Sequence, residues 1–195
     1  MRVLIGCEFS GAVRRAFRER GHEAWSADFL PAEDGSPYHY QFDVRALLNN
    51  VKDGPRWDLA IFHPPCTRLT NSGVRWLRER NLWAELDEAA ALFRFCLDFP
   101  ADRVAVENPI PHRYALERIG RKYDQIIHPW QFGHGETKAT CLWLKNLPPL
   151  VPTNIVEGRE AKVHRMPPGP DRWKERSRTY SGVAAAFADQ WGILK

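Results

Sequence analysis

The chain has 195 residues, of which 44% are hydrophobic and 12% aromatic, and this composition predicts one ordered globular domain over residues 1–195. No apolar run approaches the roughly 20 residues of a membrane-spanning helix, and the N-terminal residues lack the pattern of a signal peptide, so we expect a cytoplasmic protein without a membrane partner. The net charge of +4 is compatible with a phosphate-bearing partner but does not predict one by itself.

The first three elements form a strand–turn–helix–strand unit. Residues 2–6 are predicted to be a short buried strand, residues 12–20 an amphipathic helix that ends at Gly21, and residues 22–27 a second strand that ends at Asp28. Such a unit is typical of a parallel α/β sheet, and the carboxylate after its second strand is where these folds bind the ribose of an adenosine cofactor. The turn lacks the GxGxxG pattern, so the pattern alone leaves a cofactor site and a plain tight turn open.

The next stretch is loop-rich. Residues 40–44 are predicted to form a short strand or turn, and a brief helix is expected to begin at Arg45. Asp43 stands at this strand end, and capping the helix that follows it is an alternative role for its carboxylate.

A cysteine stands at the end of the next strand. The apolar run 57–62 leads through His63 to Pro64 and Pro65, and Cys66 follows them directly. A buried strand with a rigid, proline-framed exit is a good support for a thiol nucleophile, although a structural cysteine is the alternative. The other cysteines show no metal-binding spacing, so we predict no metal site and expect free thiols. These are Cys7, Cys96 and Cys141.

The segment after Cys66 carries four arginines and Gly73. It is interpreted as a loop able to close over a site, with a surface helix over 74–80 as the alternative. Apolar residues at helical spacing then predict a helix over 82–97, and residues 103–109 predict a central strand with Glu107 and Asn108 at its carboxyl end. Carboxyl ends of parallel strands meet at one edge, so five side chains are expected there. They are Glu8, Asp28, Asp43, Cys66 and Glu107.

The rest of the chain alternates short elements with one long irregular segment. In order, we predict a helix over 112–120, strands over 123–130 and 140–144 around a glycine-rich loop, an irregular insertion over about 146–178, and a helix over 182–192 capped by Ser181.

Four stretches together resemble the motifs of the S-adenosylmethionine-dependent cytosine C5 methyltransferases, especially short, phage-type members. They are Glu8–Gly11, Pro64–Cys66, Glu107–Pro109 and Arg178–Ala184. The resemblance implies a Rossmann-like, doubly wound, mostly parallel sheet. It also implies transfer of a methyl group from S-adenosyl-L-methionine to C5 of cytosine, with DNA as the favoured substrate.

The resemblance also implies a role for each matching residue. Cys66 would be the nucleophile that adds to C6, Glu107 the acid at N3 of the ring, and Asn108 a brace for the Cys66 loop. Cofactor contacts would come from Glu8, Phe9, Ser10, Gly11, Asp28, Phe29, Asp43 and Pro64. Substrate contacts would come from His63, Pro65, Lys138 and Thr140, the last two standing where the family usually carries paired arginines.

The chemistry explains these residue types. Addition of a thiolate to C6 turns C5 into an enamine-like carbon that attacks an electrophilic methyl group. An acid at N3 offsets the charge that develops on the ring, which calls for a raised pKa at Glu107.

Substrate recognition is the open point in the sequence. Only about 35 irregular residues separate Leu144 from the last helix, too few for a separate target-recognition domain. Recognition would then depend on a relaxed site, single strands, a partner subunit or a homo-oligomer, with Trp76 or Trp173 able to stack a base. Two alternatives follow: the same chemistry on CMP or dCMP, or an inactive nucleic-acid binding module.

Overall fold

The computed structural model of the chain describes residues 1–47 and 56–194. Within these ranges the strands are β1 Arg2–Gly6, β2 Glu23–Asp28, β3 His39–Gln41, β4 Trp57–Phe62, β5 Ala101–Pro109, β6 Gln125–Ile127 and β7 Thr140–Lys145. The helices are α1 Ala12–Glu19, α2 Val74–Glu79, α3 Trp83–Leu97, α4 Arg113–Ile119, α5 Lys162–Arg165, α6 Arg172–Ser177 and α7 Ser181–Trp191. Short 3₁₀ turns cover Val44–Ala46, Asn71–Gly73 and Pro129–Gln131.

The strands form one sheet in the order β3-β2-β1-β4-β5-β7-β6. Strands β1 to β5 pair in parallel, whereas β7 runs antiparallel to both of its neighbours. The strand order reverses between β1 and β4, which is the position where open α/β sheets bind ligands. The predicted doubly wound, mostly parallel α/β fold is confirmed.

Helices cover both faces of the sheet. On one face α3 and α4 bury a cluster in which Phe93 meets Trp143 with ring centres 4.8 Å apart. On the other face α1 packs beside α7, where Phe187 stacks on Trp191 at 4.7 Å. Arg20 also forms an ion pair with Asp189, at 2.6 Å, between these two helices. The last helix therefore completes the face that α1 begins.

Several predicted boundaries differ from the structure for identifiable reasons. The strand predicted over 123–130 is limited to β6, because Pro129 has no N–H and begins a 3₁₀ turn. The segment 74–80 forms α2, so the helical alternative is the one observed. Tyr180 occupies the N-cap position of α7, so the prediction that Ser181 caps this helix was wrong.

The helix predicted from Arg45 begins as the 3₁₀ turn Val44–Ala46, and its continuation past residue 47 lies outside the described residues. The segment predicted as irregular contains α5 and α6. Glu136 fastens it, because one carboxylate oxygen accepts the backbone N–H of Val163 at 2.9 Å in a buried position. In the described part of the chain, no helix combines the length and apolar character needed to cross a bilayer.

Candidate active site

The carboxyl end of β4 delivers Cys66 through a sharp turn. Pro64 is buried and Pro65 is exposed. The carbonyl of Cys66 accepts the backbone N–H groups of Leu69 at 2.9 Å and Thr70 at 3.1 Å, which closes the turn. Because proline fixes its own φ and restricts the residue before it, the thiol stands on a stiff support.

The neighbouring strand β5 brings Glu107 to the same edge. His63 Nδ1 lies 3.1 Å from Glu107 Oε2, and the two side chains are 7% and 17% exposed. The backbone N–H of His63 donates to the carbonyl of Gly6 at 3.0 Å, which ties this pair to β1. His63 Nε2 is buried and has no hydrogen-bond partner among the described residues. His63, expected to contact substrate directly, therefore holds the candidate acid.

The structure reverses the expected protonation of Glu107. Burial by itself would raise the pKa of this carboxyl, but the His63 hydrogen bond and the Lys138 ammonium outweigh burial, so its pKa lies below the usual value. The prediction of a raised pKa at Glu107 was wrong for the unliganded site. The pKa that the reaction calls for is opposed here by two neighbours, His63 and Lys138, whose positions the sequence does not reveal.

Cys66 shows the opposite shift. Burial and the negative charge of Glu107 raise the pKa of its thiol, and Lys138 and Arg176 only partly offset them. In the free protein the cysteine therefore carries its proton at neutral pH, while Glu107 does not. All four cysteines, at positions 7, 66, 96 and 141, are free thiols.

Asn108 does not make the predicted bond to the Cys66 loop. Its side chain is fully buried, its Nδ2 donates to the carbonyl of Pro109, and its Oδ1 has no partner among the described residues. A buried acceptor without a donor costs free energy. Asn108 is therefore held beside the site by its burial and its bond to Pro109, and not by a contact with the Cys66 loop.

His112 makes the connection that was assigned to Asn108. This residue is 2% exposed. Its Nδ1 accepts the backbone N–H of Ala115 at 3.0 Å, and its Nε2 donates to the carbonyl of Arg68 at 2.8 Å. Its own N–H donates to the carbonyl of Leu69 at 3.0 Å. His112 thus caps α4 and fastens the Cys66 loop to the segment after Glu107. Histidine is not a favoured N-cap residue, so this role had only a weak signal in the sequence.

The turn after β1 is built around Glu8 and Gly11. Glu8 is 5% exposed, and its carboxylate accepts the backbone N–H groups of Val13 at 2.7 Å and Arg14 at 3.3 Å. Gly11 has a φ of 68°, and Ser10 Oγ lies 3.4 Å from the N–H of Ala12. Glu8 therefore caps α1, and both of its carboxylate oxygens accept helix N–H groups rather than facing a ligand.

The ends of β1 and β2 bring further acids together. Burial, followed by the charges of Asp28 and Asp43, raises the pKa of Cys7 to about 12, which places the three side chains in one neighbourhood. Asp28 Oδ1 accepts the backbone N–H of Leu30 at 2.9 Å, and the adjacent Phe29 is 68% exposed. Burial raises the pKa of Asp28, and the backbone N–H groups of Leu30 and Phe29 only partly offset it. The Asp28 carboxylate is therefore held at the end of β2 by the turn that follows.

Asp43 is engaged within the protein. Its Oδ1 accepts the backbone N–H of Arg45 at 2.9 Å, and the two side chains form an ion pair. The structure therefore shows the helix-capping role that the sequence left as an alternative. A cofactor contact from Asp43 would have to compete with Arg45.

A cavity opens between the ends of β4, β5 and β7 and the beginning of α7. Its lining includes His63, Glu107, Lys138, Thr140, Arg178 and Tyr180. Lys138 Nζ donates to the carbonyl of Arg176 at 2.9 Å, so this cation is held in place by the segment before α7. The cavity thus joins a carboxylate, an imidazole and two cations beside Cys66.

Helix α6 covers the same edge of the sheet near the end of β1. The ring of Trp173 lies 5.8 Å from that of Phe9, and Arg178 forms an ion pair with Glu33 at 2.9 Å. Trp173, considered above as a base-stacking residue, is therefore next to the expected cofactor contacts. Phe9 and Ser10 are almost completely buried under this cover.

No protein-family model matches the sequence, and the comparison with curated proteins finds no match either. Similar solved structures include a DNA modification methyltransferase encoded within a prophage of E. coli, with a TM-score of 0.53 and 13% identity over 80% of this chain and 52% of that one. They also include the Entamoeba histolytica methyltransferase EhMeth, with a TM-score of 0.50 and 13% identity over 80% and 57%. At this identity the likeness shows the fold alone. The chain spans little more than half the length of these structures.

Proposed function

We propose that the protein transfers a methyl group from S-adenosyl-L-methionine to C5 of cytosine, with DNA as the favoured substrate. One observation carries the proposal. Cys66 and the His63–Glu107 pair lie at the carboxyl ends of two adjacent parallel strands, in a sheet that resembles those of methyltransferases. A thiol and a carboxylate in this arrangement provide a nucleophile and a hydrogen-bond acceptor for the N3 edge of the same ring.

The protonation of the free site fits addition of the thiol to the ring. Cys66 holds a proton and Glu107 does not. Conjugate addition of a thiol to cytosine places sulfur on C6 and a proton on N3. N3 therefore gains the proton that Cys66 loses. The Glu107 carboxylate would accept a hydrogen bond from this N3–H group at the ring edge. His63 would keep the Glu107 carboxylate oriented throughout.

The remaining steps restore the aromatic ring. The cofactor, when bound, would supply the methyl group to C5 and leave as S-adenosylhomocysteine. Loss of the C5 proton to water or a base would then expel Cys66 as a thiolate, and the thiolate would recover the proton from N3, so that the product is neutral 5-methylcytosine. Phe9, Ser10, Gly11 and the Asp28 carboxylate would hold the cofactor, with Pro64 and Phe29 bordering the site.

A second candidate is the same reaction on CMP or dCMP. The cavity beside Glu107 contains the cations of Lys138 and Arg178, and two cations near a base site also suit a single 5′-phosphate. DNA remains the favoured substrate because one of the similar folds is described as a DNA modification methyltransferase.

Radiolabel transfer separates these functions. The protein is incubated with tritiated S-adenosylmethionine and, in parallel, with duplex DNA, single-stranded DNA, RNA, CMP or dCMP. Label at cytosine C5 in DNA supports the proposal, and label in a nucleotide alone refutes DNA as the substrate. Cofactor binding without label in any sample would indicate a nucleic-acid binding module that lacks the activity.

A further inference from the structure

Helix α2 carries two arginines against one indole ring. The guanidinium carbons of Arg75 and Arg80 each lie 4.2 Å from the ring centre of Trp76. Both arginines are exposed and the tryptophan is half-buried. A guanidinium held over an aromatic face keeps its full charge and its in-plane N–H donors, while its position is restricted.

Helix α4 supplies a second aromatic support next to α2. The guanidinium carbon of Arg113 lies 4.5 Å from the ring centre of Tyr114. The Tyr114 hydroxyl oxygen accepts from Arg113 at 2.6 Å and from Arg78 at 3.1 Å, so one phenol joins arginines from both helices. Trp83, at the start of α3, packs edge-on against Tyr114 at 5.3 Å. We call the set Arg75, Trp76, Arg78, Arg80, Arg113 and Tyr114 the arginine–aromatic patch.

The arginines of this patch are not neutralised by carboxylates. Among the described residues none of the four forms an ion pair within 4.0 Å, whereas the nearby Arg68 pairs with Glu85 at 2.7 Å and Arg118 pairs with Asp87. Glu79 and Glu117 lie on the same two helices without pairing with them. Four exposed guanidinium groups with ordered positions and unused donors form a surface suited to bidentate contacts with phosphates.

The patch is connected to both loops of the candidate active site. Helix α2 follows the Cys66 loop, and α4 follows the segment after Glu107. The backbone N–H of Asn71 donates to the carbonyl of Ile110 at 3.2 Å, and His112 joins the same two segments. A polymer lying across the patch would therefore pass the edge of the sheet that carries Cys66.

We infer that the arginine–aromatic patch binds the phosphate backbone of a polynucleotide substrate, single-stranded or duplex, beside the active site. The inference rests on the proposed function and extends it, because a free mononucleotide has no flanking phosphates to place there. Phosphate contacts position a strand without reading its sequence, so the patch would give affinity rather than base specificity. The rings of Trp76 and Tyr114 are covered by guanidinium groups, so the surface presents charge rather than apolar area and does not favour a membrane.

The test compares two double variants of equal charge change. Arg75→Ser/Arg113→Ser removes two patch cations. Arg94→Ser/Lys122→Ser removes two exposed cations outside the patch, one in the last turn of α3 and one before β6. Binding of fluorescein-labelled single-stranded and duplex cytosine-containing oligonucleotides is measured by anisotropy over a series of KCl concentrations, without cofactor. Thermal unfolding establishes that both variants are folded.

We expect the patch variant to bind about tenfold more weakly, and the slope of log K against log salt to fall by about 1.4 for single strands or about 1.8 for duplex. The matched control should keep the parent slope, within the small effect of net charge. Equal losses in the two variants, or binding only to phosphatidylcholine–phosphatidylserine vesicles, would overturn the inference.

The outcome is separable from that of the proposed function. If oligonucleotide binding depends on the patch but no radiolabel is transferred, the proposed methyl transfer is refuted and phosphate binding by the patch stands. If DNA is labelled and the patch variant binds as well as the parent, phosphate binding by the patch is refuted and the methyl transfer stands.

Discussion

Two residues define the candidate chemistry, and the environment of each determines its protonation state. Cys66 is protonated because it is buried and faces a carboxylate, and Glu107 is ionised because His63 and Lys138 stabilise its charge. In the proposed reaction the thiol would become a nucleophile only when a ring accepts its proton. A protonated thiol would also be protected from alkylation and oxidation when no ring is bound.

The raised thiol pKa gives a direct prediction for Cys66. Only the thiolate reacts with iodoacetamide, so the alkylation rate at Cys66 should keep increasing with pH beyond its ordinary pKa of 9.0. The rate is measured by mass spectrometry of the Cys66 peptide. A rate that levels off below pH 9 in the free protein would contradict this protonation state.

The places of these residues on the strands were easier to predict than their environments. The sequence places Cys66 and Glu107 at strand ends, and the structure brings them to neighbouring strands. The lowered pKa of Glu107 depends on His63 and Lys138, and Lys138 reaches the site from the loop before β7. The bonds of Glu8, Asp43 and Asn108 likewise depend on which backbone groups lie beside them, which spacing along a chain does not fix.

At the level of elements, His112 determines how the Cys66 loop meets the segment after Glu107. Both ring nitrogens are used, one as acceptor for α4 and one as donor to the Cys66 loop, so only the neutral imidazole satisfies both. Protonation would remove the acceptor and loosen the beginning of α4.

We expect His112→Ala to lower the free energy of unfolding by about 1–3 kcal/mol, because α4 loses its cap and the Arg68 carbonyl loses its donor. Burial lowers the pKa of His112 below its ordinary 6.5, so the unfolded chain takes up the proton first as pH falls. The contribution of His112 is therefore complete above that pH and declines below it. Urea unfolding at several pH values should show the difference between parent and variant decreasing toward acid.

His112→Asn separates the two bonds of this residue. Asparagine is a good N-cap but has a shorter side chain, so we expect it to restore the α4 cap without restoring the bond to Arg68. If the difference in free energy of unfolding between the parent and His112→Ala stays constant from about pH 8 to about pH 5, His112 does not titrate as described.

The beginning of α7 depends on a glycine. A Cβ at Gly182 would lie 1.8 Å from the carbonyl oxygen of Phe132, a backbone atom that cannot move aside. The backbone N–H of Gly182 also donates to His134 Nε2 at 3.0 Å, so the helix start is fixed by two contacts with the segment after β6.

Gly182→Ala should therefore destabilise the protein by about 1–3 kcal/mol, although alanine normally favours a helix over glycine by about 1 kcal/mol. Gly169→Ala is the matched control, because its Cβ would meet no heavy atom within 4 Å. Urea unfolding of both variants tests the contact. An unchanged or raised stability in Gly182→Ala would show that α7 can shift without loss.

At the level of the whole molecule, the doubly wound topology was predictable and the long insertion was not. Alternation of buried strands with amphipathic helices indicated the sheet, because that periodicity follows from the fold itself. The segment before α7 has little periodicity, yet α6 places Trp173 over Phe9 and Arg178 beside Glu33. Such long-range contacts between an irregular segment and a strand end leave no local pattern in the sequence.

The most direct test of the proposed chemistry traps the covalent intermediate. The protein is mixed with S-adenosylmethionine and either an oligonucleotide containing 5-fluorocytosine or 5-fluoro-dCMP. Fluorine at C5 cannot leave as a proton, so the adduct formed after methyl transfer should persist.

Intact-mass and peptide analysis should then show a methylated cytosine ring attached to Cys66, dependent on S-adenosylmethionine and absent from Cys66→Ser. The oligonucleotide rather than the mononucleotide should give this adduct. An adduct at another cysteine, or no adduct with either substrate while the protein binds S-adenosylmethionine, would contradict the assignment of Cys66 as the nucleophile of a cytosine C5 methyltransferase.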